Sequence, residues 1–85
     1  MASYSIIICR RAEKEIISAP KPDRQRIVAR IRKLSANPRP HGSEKLKGNT
    51  SYWIRQGDWR IVYTVSDKDR VISIDKVGHR REVYR

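Results

Sequence analysis

Proline placement constrains this chain more than any other single feature. All four prolines, Pro20, Pro22, Pro38 and Pro40, fall in the stretch from residue 20 to residue 40. Proline has no amide proton and its ring clashes with the preceding turn, so it ends a helix that runs into it. Its fixed φ nevertheless suits the first turn of a new helix. Helix is therefore confined to two short pieces. In the first, from Arg11 to Ala19, residues Ala12, Ile16 and Ala19 recur at helical spacing, and Pro20 stops it. The second opens at Pro22 with Asp23 near its positive end. Ile27, Ile31 and Leu34 form its apolar stripe, with Val28 beside them. Asn37-Pro38-Arg39-Pro40 closes it, because a residue before proline avoids the helical region.

On both sides of this block the hydrophobic period changes. Tyr4 to Cys9 is short, apolar and rich in β-branched residues, and reads as a well-buried strand. Beyond the turn signals at Gly42 and Gly48-Asn49, the segments Tyr52 to Gln56, Trp59 to Val65 and Val71 to Val77 read as strands. Gly57-Asp58 and Ser66-Asp67-Lys68-Asp69 are the hairpin turns between them. Such short connections make an antiparallel meander. The first strand has to join the same sheet, since alone it leaves its backbone groups unsatisfied. The expectation is one α+β domain over residues 1–85, ordered β-α-α-β-β-β. Two helices pack on one face of a four-stranded, mostly antiparallel sheet. Alternation turns Tyr52, Ile54, Ile61, Tyr63 and Val65 towards the helices and Trp53, Arg55, Arg60, Val62 and Thr64 away from them. Arg55 and Arg60 emerge as like-charged neighbours at one hairpin end. Such a pair destabilises a sheet, so a sheet that keeps it has an anion to hold.

The charge points the same way. Of 85 residues, 20 are Lys or Arg and 9 are Asp or Glu, a net charge of +11. Residues 1–20 carry a net +1, residues 21–47 a net +7 and residues 48–85 a net +3. Arg outnumbers Lys by 13 to 7, and a guanidinium presents a planar fork of donors that suits phosphate. A field of this strength selects a polyanionic partner, either nucleic acid or an acidic protein. No apolar run approaches the ~20 residues that a membrane span needs. Met1-Ala2-Ser3-Tyr4 lacks the basic-then-apolar pattern of a secretion signal. Cys9, the one cysteine, forms no internal disulfide and fits a reducing cytoplasm. With only His41 and His79 to join it, no structural zinc site of the usual four ligands closes. The expectation is a cytoplasmic protein without metal or cofactor.

Three segments carry a resemblance. Lys45-Leu46-Lys47-Gly48, then Tyr52-Trp53-Ile54-Arg55-Gln56-Gly57-Asp58-Trp59-Arg60-Ile61-Val62-Tyr63, then Val77-Gly78-His79-Arg80-Arg81-Glu82-Val83-Tyr84 are similar, in order and spacing, to the RelE family. That family belongs to the RelE/ParE superfamily of toxins from type II toxin–antitoxin pairs. The resemblance spans nearly the whole chain. It implies a metal-independent endoribonuclease that enters the A site of a translating ribosome and cuts the mRNA there. The mRNA 2′-hydroxyl attacks the adjacent phosphate and leaves 2′,3′-cyclic phosphate and 5′-hydroxyl ends. It also implies an acidic antitoxin as partner, beside the ribosome and mRNA.

By the same resemblance Arg60, Arg80 and Arg55 are the cations that stabilise the phosphate, and Tyr84 is the C-terminal aromatic that stacks on a base or supports proton transfer. Lys45, Lys47, Trp53 and Arg81 fall among the RNA-contacting positions. Trp53 is a departure. Some relatives have Lys or Arg at this position, and a Lys there has been proposed as the general base, whereas an indole takes no proton. Three candidates for that role stay open. His79 is of the type that changes charge nearest neutral pH. Lys45 or Lys47 competes, since a lysine amid many cations gives up its proton more readily. The third is positioning and charge alone, with water handling the proton. Two other functions fit the same sequence: a ParE-like inhibitor of DNA gyrase, and a non-catalytic RNA- or ribosome-binding module.

Overall fold

The computed structural model describes residues 3–46, 48 and 50–79. Seven elements follow in order: β1 (Ser5–Ile8), α1 (Arg10–Ser18), α2 (Lys21–Leu34), β2 (Glu44–Lys45), β3 (Ser51–Gln56), β4 (Trp59–Ser66) and β5 (Val71–His79). The strands form one sheet in the order β1-β5-β4-β3-β2. β1 runs parallel to β5, and the remaining neighbours are antiparallel.

The helices break where proline dictates. Pro20 is the N-cap of α2 and Pro22 sits in its first turn with Asp23, while Arg32 and Lys33 occupy the last turn. Acidic and basic residues thus lie at the ends where the helix dipole favours them. Ala12 and Ile16 of α1, and Ile27, Ile31 and Leu34 of α2, face the sheet and are buried. From the sheet they meet Ile54, Ile61, Tyr63, Val65, Ile72, Ile74 and Val77. The face assignments read from alternation hold for Ile54, Ile61, Tyr63 and Val65, each at most 2% exposed.

Two expectations need correction. The sheet has five strands, not four. The added strand, Glu44–Lys45, pairs with Trp53 and Tyr52. It is two charged residues long and carries no alternating apolar signal, so only its pairing defines it. The first strand is not well buried: Ile7 is 55% and Ile8 40% exposed. β1 is an edge strand with a neighbour on one side only, and an apolar composition does not distinguish an edge from a centre.

One irregularity matters for side-chain direction. Between β4 and β5 the register shifts, with Val62 opposite Lys76 but Tyr63 opposite Ile74. Asp75 is the extra residue of this bulge. Its carboxylate accepts bonds from the Thr64 hydroxyl at 2.6 Å and the Ser73 hydroxyl at 2.9 Å. The bulge lets Ile72, Ile74 and Val77 all reach the core, although a strict period of two would turn Val77 outward. At the β3–β4 turn Gly57 has φ +60°, the left-handed region that glycine enters without steric cost. The turn therefore closes tightly and brings Arg55 opposite Arg60. Among the described residues no helix is long and apolar enough to cross a membrane, which says nothing of a β-barrel.

Candidate functional site

The pairing of β3 with β4 sets the site. Trp53 lies opposite Val62 and Arg55 opposite Arg60, so these side chains leave the same face of the sheet. β2 adds Glu44, opposite Trp53. The result is a groove of about 460 Å³ lined by Arg30, Gly42, Glu44, Trp53, Arg55 and Arg60. Arg30 comes from α2, so helix and sheet both supply cations. Its Nε is sealed from solvent without a hydrogen-bond acceptor among the described residues.

Arg60 is the one buried charged residue among those described, at 5% exposure. Its guanidinium carbon lies 4.2 Å from the centroid of the Trp53 ring, well inside cation–π range. On its other flank Arg60 is paired with Gly78 of β5, which places no side chain beside it. Arg55 is exposed. Three guanidinium groups and one carboxylate therefore share one groove, an arrangement suited to a bound anion. Donors held in place in a partly dry site stabilise developing negative charge far better than water does.

Of the residues singled out in the sequence, the structure brings Arg55, Arg60 and Trp53 together. Lys45 stands opposite Tyr52, one residue out of phase with Glu44, so it leaves the other face and is exposed. His79 is likewise out of phase. It pairs with Trp59, not Arg60, and its ring meets the Trp59 ring edge-on at 5.5 Å. Trp59 Nε1 donates to Asp23 of α2 at 3.2 Å, which fixes that pair on the helix side of the sheet. His79 there lines a separate hollow of about 100 Å³ with Asp23, Arg26, Gln56, Gly57, Asp58 and Trp59. Lys47, Arg80, Arg81 and Tyr84 lie outside the described residues. Sequence reasoning missed Glu44 and Arg30. Glu44 sits next to Lys45 in a basic run, and only the register of β2 reveals its face. Arg30 is one of several arginines off the apolar stripe of α2. Among the described residues, no group of three or more His, Cys, Asp or Glu side chains is placed to hold a metal.

A second cluster ties down the loop that leads into β2. Arg39 donates to both carboxylate oxygens of Asp67, at 2.8 and 3.2 Å, and to the Tyr52 hydroxyl at 3.0 Å. The Tyr63 hydroxyl donates to the Pro38 carbonyl at 2.7 Å. Tyr4 donates to Asp67 as well. Hydrogen bonds from Arg39, then Tyr4, lower the Asp67 pKa below its usual value. The bond to Asp67 is the largest cause that raises the pKa of Tyr4. Burial raises that of Tyr63.

The family model described as "ParE toxin of type II toxin-antitoxin system, parDE" matches residues 6–84. The chain belongs to this toxin family. Within the family its similarity runs to RelE toxins. A chain named RelE1 from Methanocaldococcus jannaschii is 29% identical over 86 residues, covering 96% of each. RelE in the archaeal RelE–RelB complex from Pyrococcus horikoshii is 32% identical, with a TM-score of 0.82 over 91% of this chain and 94% of that one. The isolated RelE toxin of E. coli is 29% identical, with a TM-score of 0.79 over 95% and 90%. The protein is thus a RelE-like toxin of the RelE/ParE superfamily, and the two-helix, mixed-sheet fold is that of RelE.

Proposed function

We propose that this toxin is a metal-independent endoribonuclease that cleaves mRNA in the A site of the translating ribosome. The observation that carries the reading is the pair Arg55 and Arg60, face to face across β3 and β4 in a groove that Arg30 also enters. In the proposed reaction the 2′-hydroxyl attacks the adjacent phosphorus and the bond to the 5′ oxygen breaks. The products are a 2′,3′-cyclic phosphate and a 5′-hydroxyl end. Negative charge grows on the non-bridging oxygens, where Arg60 and Arg55 supply donors; one such donor is worth roughly 10²–10³ in rate. One proton leaves the 2′-hydroxyl and one reaches the departing 5′ oxygen. Glu44 is the acceptor that the groove offers for the first. His79, on the opposite face, reaches neither from the position described. Arg80 and Tyr84 join the site by family resemblance, and Lys45, Lys47 and Arg81 serve as contacts to the RNA backbone, which position without reading sequence.

The P. horikoshii relative forms a complex with RelB, and the net charge of +11 suits an acidic antitoxin as the partner of this chain. The test is to mix the protein with ribosomes paused on a defined mRNA. The expected result is cuts within A-site codons that end in cyclic phosphate, with Arg60→Ala slowing them at least tenfold. Intact mRNA with the wild-type protein overturns the reading.

A second reading has its own support, because the matching family model is described by ParE. It makes the protein an inhibitor of DNA gyrase. Blocked supercoiling with intact mRNA selects it.

A further inference from the structure

We propose that Trp53 is a positioning residue for Arg60: its indole face holds the guanidinium in the groove, so Trp53 acts on the phosphate through Arg60 and not by stacking on a base. This rests on the groove being the cleavage site.

The register carries the argument. Arg60 is opposite Arg55, and Trp53 precedes Arg55 by two residues on the same face of β3. Trp53 is therefore the diagonal neighbour of Arg60, a separation that long and aromatic side chains bridge. They do bridge it: the guanidinium carbon is 4.2 Å from the ring centroid. Arg60 is almost wholly withdrawn from solvent, and there the attraction between a cation and an indole face is stronger than at an exposed site.

Two consequences follow for the chemistry. A guanidinium laid on a ring keeps its planar fork in one plane, so less freedom is lost when it engages a phosphate. The ring also carries no formal charge, so it orients the cation without cancelling it. The indole face that Arg60 covers is closed to a base. Where some relatives are expected to place a lysine or arginine, this chain thus has a holder for the neighbouring cation.

The test is a double-mutant cycle on single-turnover cleavage by ribosome-bound protein. Trp53→Leu is expected to lower the cleavage rate constant about tenfold and to leave the half-saturating toxin concentration nearly unchanged, whereas Trp53→Phe restores most of the rate. In an Arg60→Ala background Trp53→Leu is expected to cost less than about twofold, because residues that act as a unit are non-additive. The same tenfold loss in that background, or a loss confined to half-saturation, overturns the proposal. An independent readout does not need cleavage. The ring current of Trp53 is expected to move the Arg60 Nε–H resonance upfield, and Trp53→Leu is expected to return it. An unshifted resonance in the wild-type protein overturns the proposal. Wild-type protein that shows the shift but cuts no mRNA overturns the reading of the groove and leaves the Trp53–Arg60 contact standing.

Discussion

Arg39 and the pair Arg55–Arg60 use the same side chain to opposite ends. Arg39 meets a carboxylate with both terminal nitrogens and a phenol with its third, so all three nitrogens are engaged within the protein. Arg55 and Arg60 meet each other across a hairpin. Arg55 makes no ion pair among the described residues, and Arg60 lies on an indole. The first arrangement anchors a loop. The second raises the energy of the free protein, because like charges directly opposite are unfavourable, and on the proposed reading a phosphate relieves it. The surroundings of each arginine, not its chemical type, separate the two arrangements.

The largest effect we expect tests the anchored side. Tyr63 is fully buried and its hydroxyl holds the Pro38 carbonyl. Tyr63→Ala should lower stability by about 3–5 kcal/mol, as aromatic-to-alanine changes in a core do, and urea unfolding measures it. Tyr63→Phe should cost about 1 kcal/mol, the net worth of one hydrogen bond. Next comes the groove. Arg60→Ala should slow cleavage by about 10²–10³, while Arg39→Ala should leave it within about threefold. Equal losses from the two variants would erase the distinction drawn between them.

A smaller effect sharpens it. Arg55→Thr removes one of two facing charges, so it should raise stability by about 0.2–1 kcal/mol even as cleavage falls. A thermal melt that moves down contradicts the idea that the pair is strained. The smallest effect is a pH window on the Arg39–Asp67 tie, an exposed ion pair that contributes little to stability. The Arg39 and Tyr4 hydrogen bonds hold Asp67 below the usual carboxylate range, so its contribution is present above the ordinary value and is lost as pH falls through the depressed one. The bond to Asp67 holds Tyr4 above the ordinary phenol range, so its share is present below the ordinary value and is lost as pH rises through the raised one. Asp67→Asn should flatten the acid limb of a melting-temperature profile and, because the Asp67 bond is the largest cause of the Tyr4 rise, should shrink the alkaline share of Tyr4 as well. An acid limb identical to wild type removes Asp67 from the tie.

Much of the site was legible in residue order. Period-two alternation placed Arg55 and Arg60 on one face, and a tight turn at Gly57-Asp58 made them neighbours. Unbroken alternation along β5 puts His79 on the same face as Arg60, and only the bulge at Asp75 turns it to the helix side. Glu44 was out of reach by the same rule. A strand of two charged residues has no period, and its face exists only by virtue of Trp53 opposite it. Arg30 was hidden by abundance, since α2 also carries Arg24, Arg26 and Arg32.

By itself the sequence determined what depends on neighbours along the chain. The prolines set where helices stop, the apolar stripes set which helical faces turn inward, and alternation set which strand residues share a side. The net charge of +11 set the sign of the field around the protein. Only the tertiary structure decided what depends on residues far apart in the chain. It left β1 at an edge, with Ile7 and Ile8 in solvent. It brought the groove together from α2, β2, β3 and β4 and laid Arg60 on Trp53. The reason is physical. Periodicity specifies direction relative to an element's own axis, whereas burial and charge pairing depend on which other element arrives alongside.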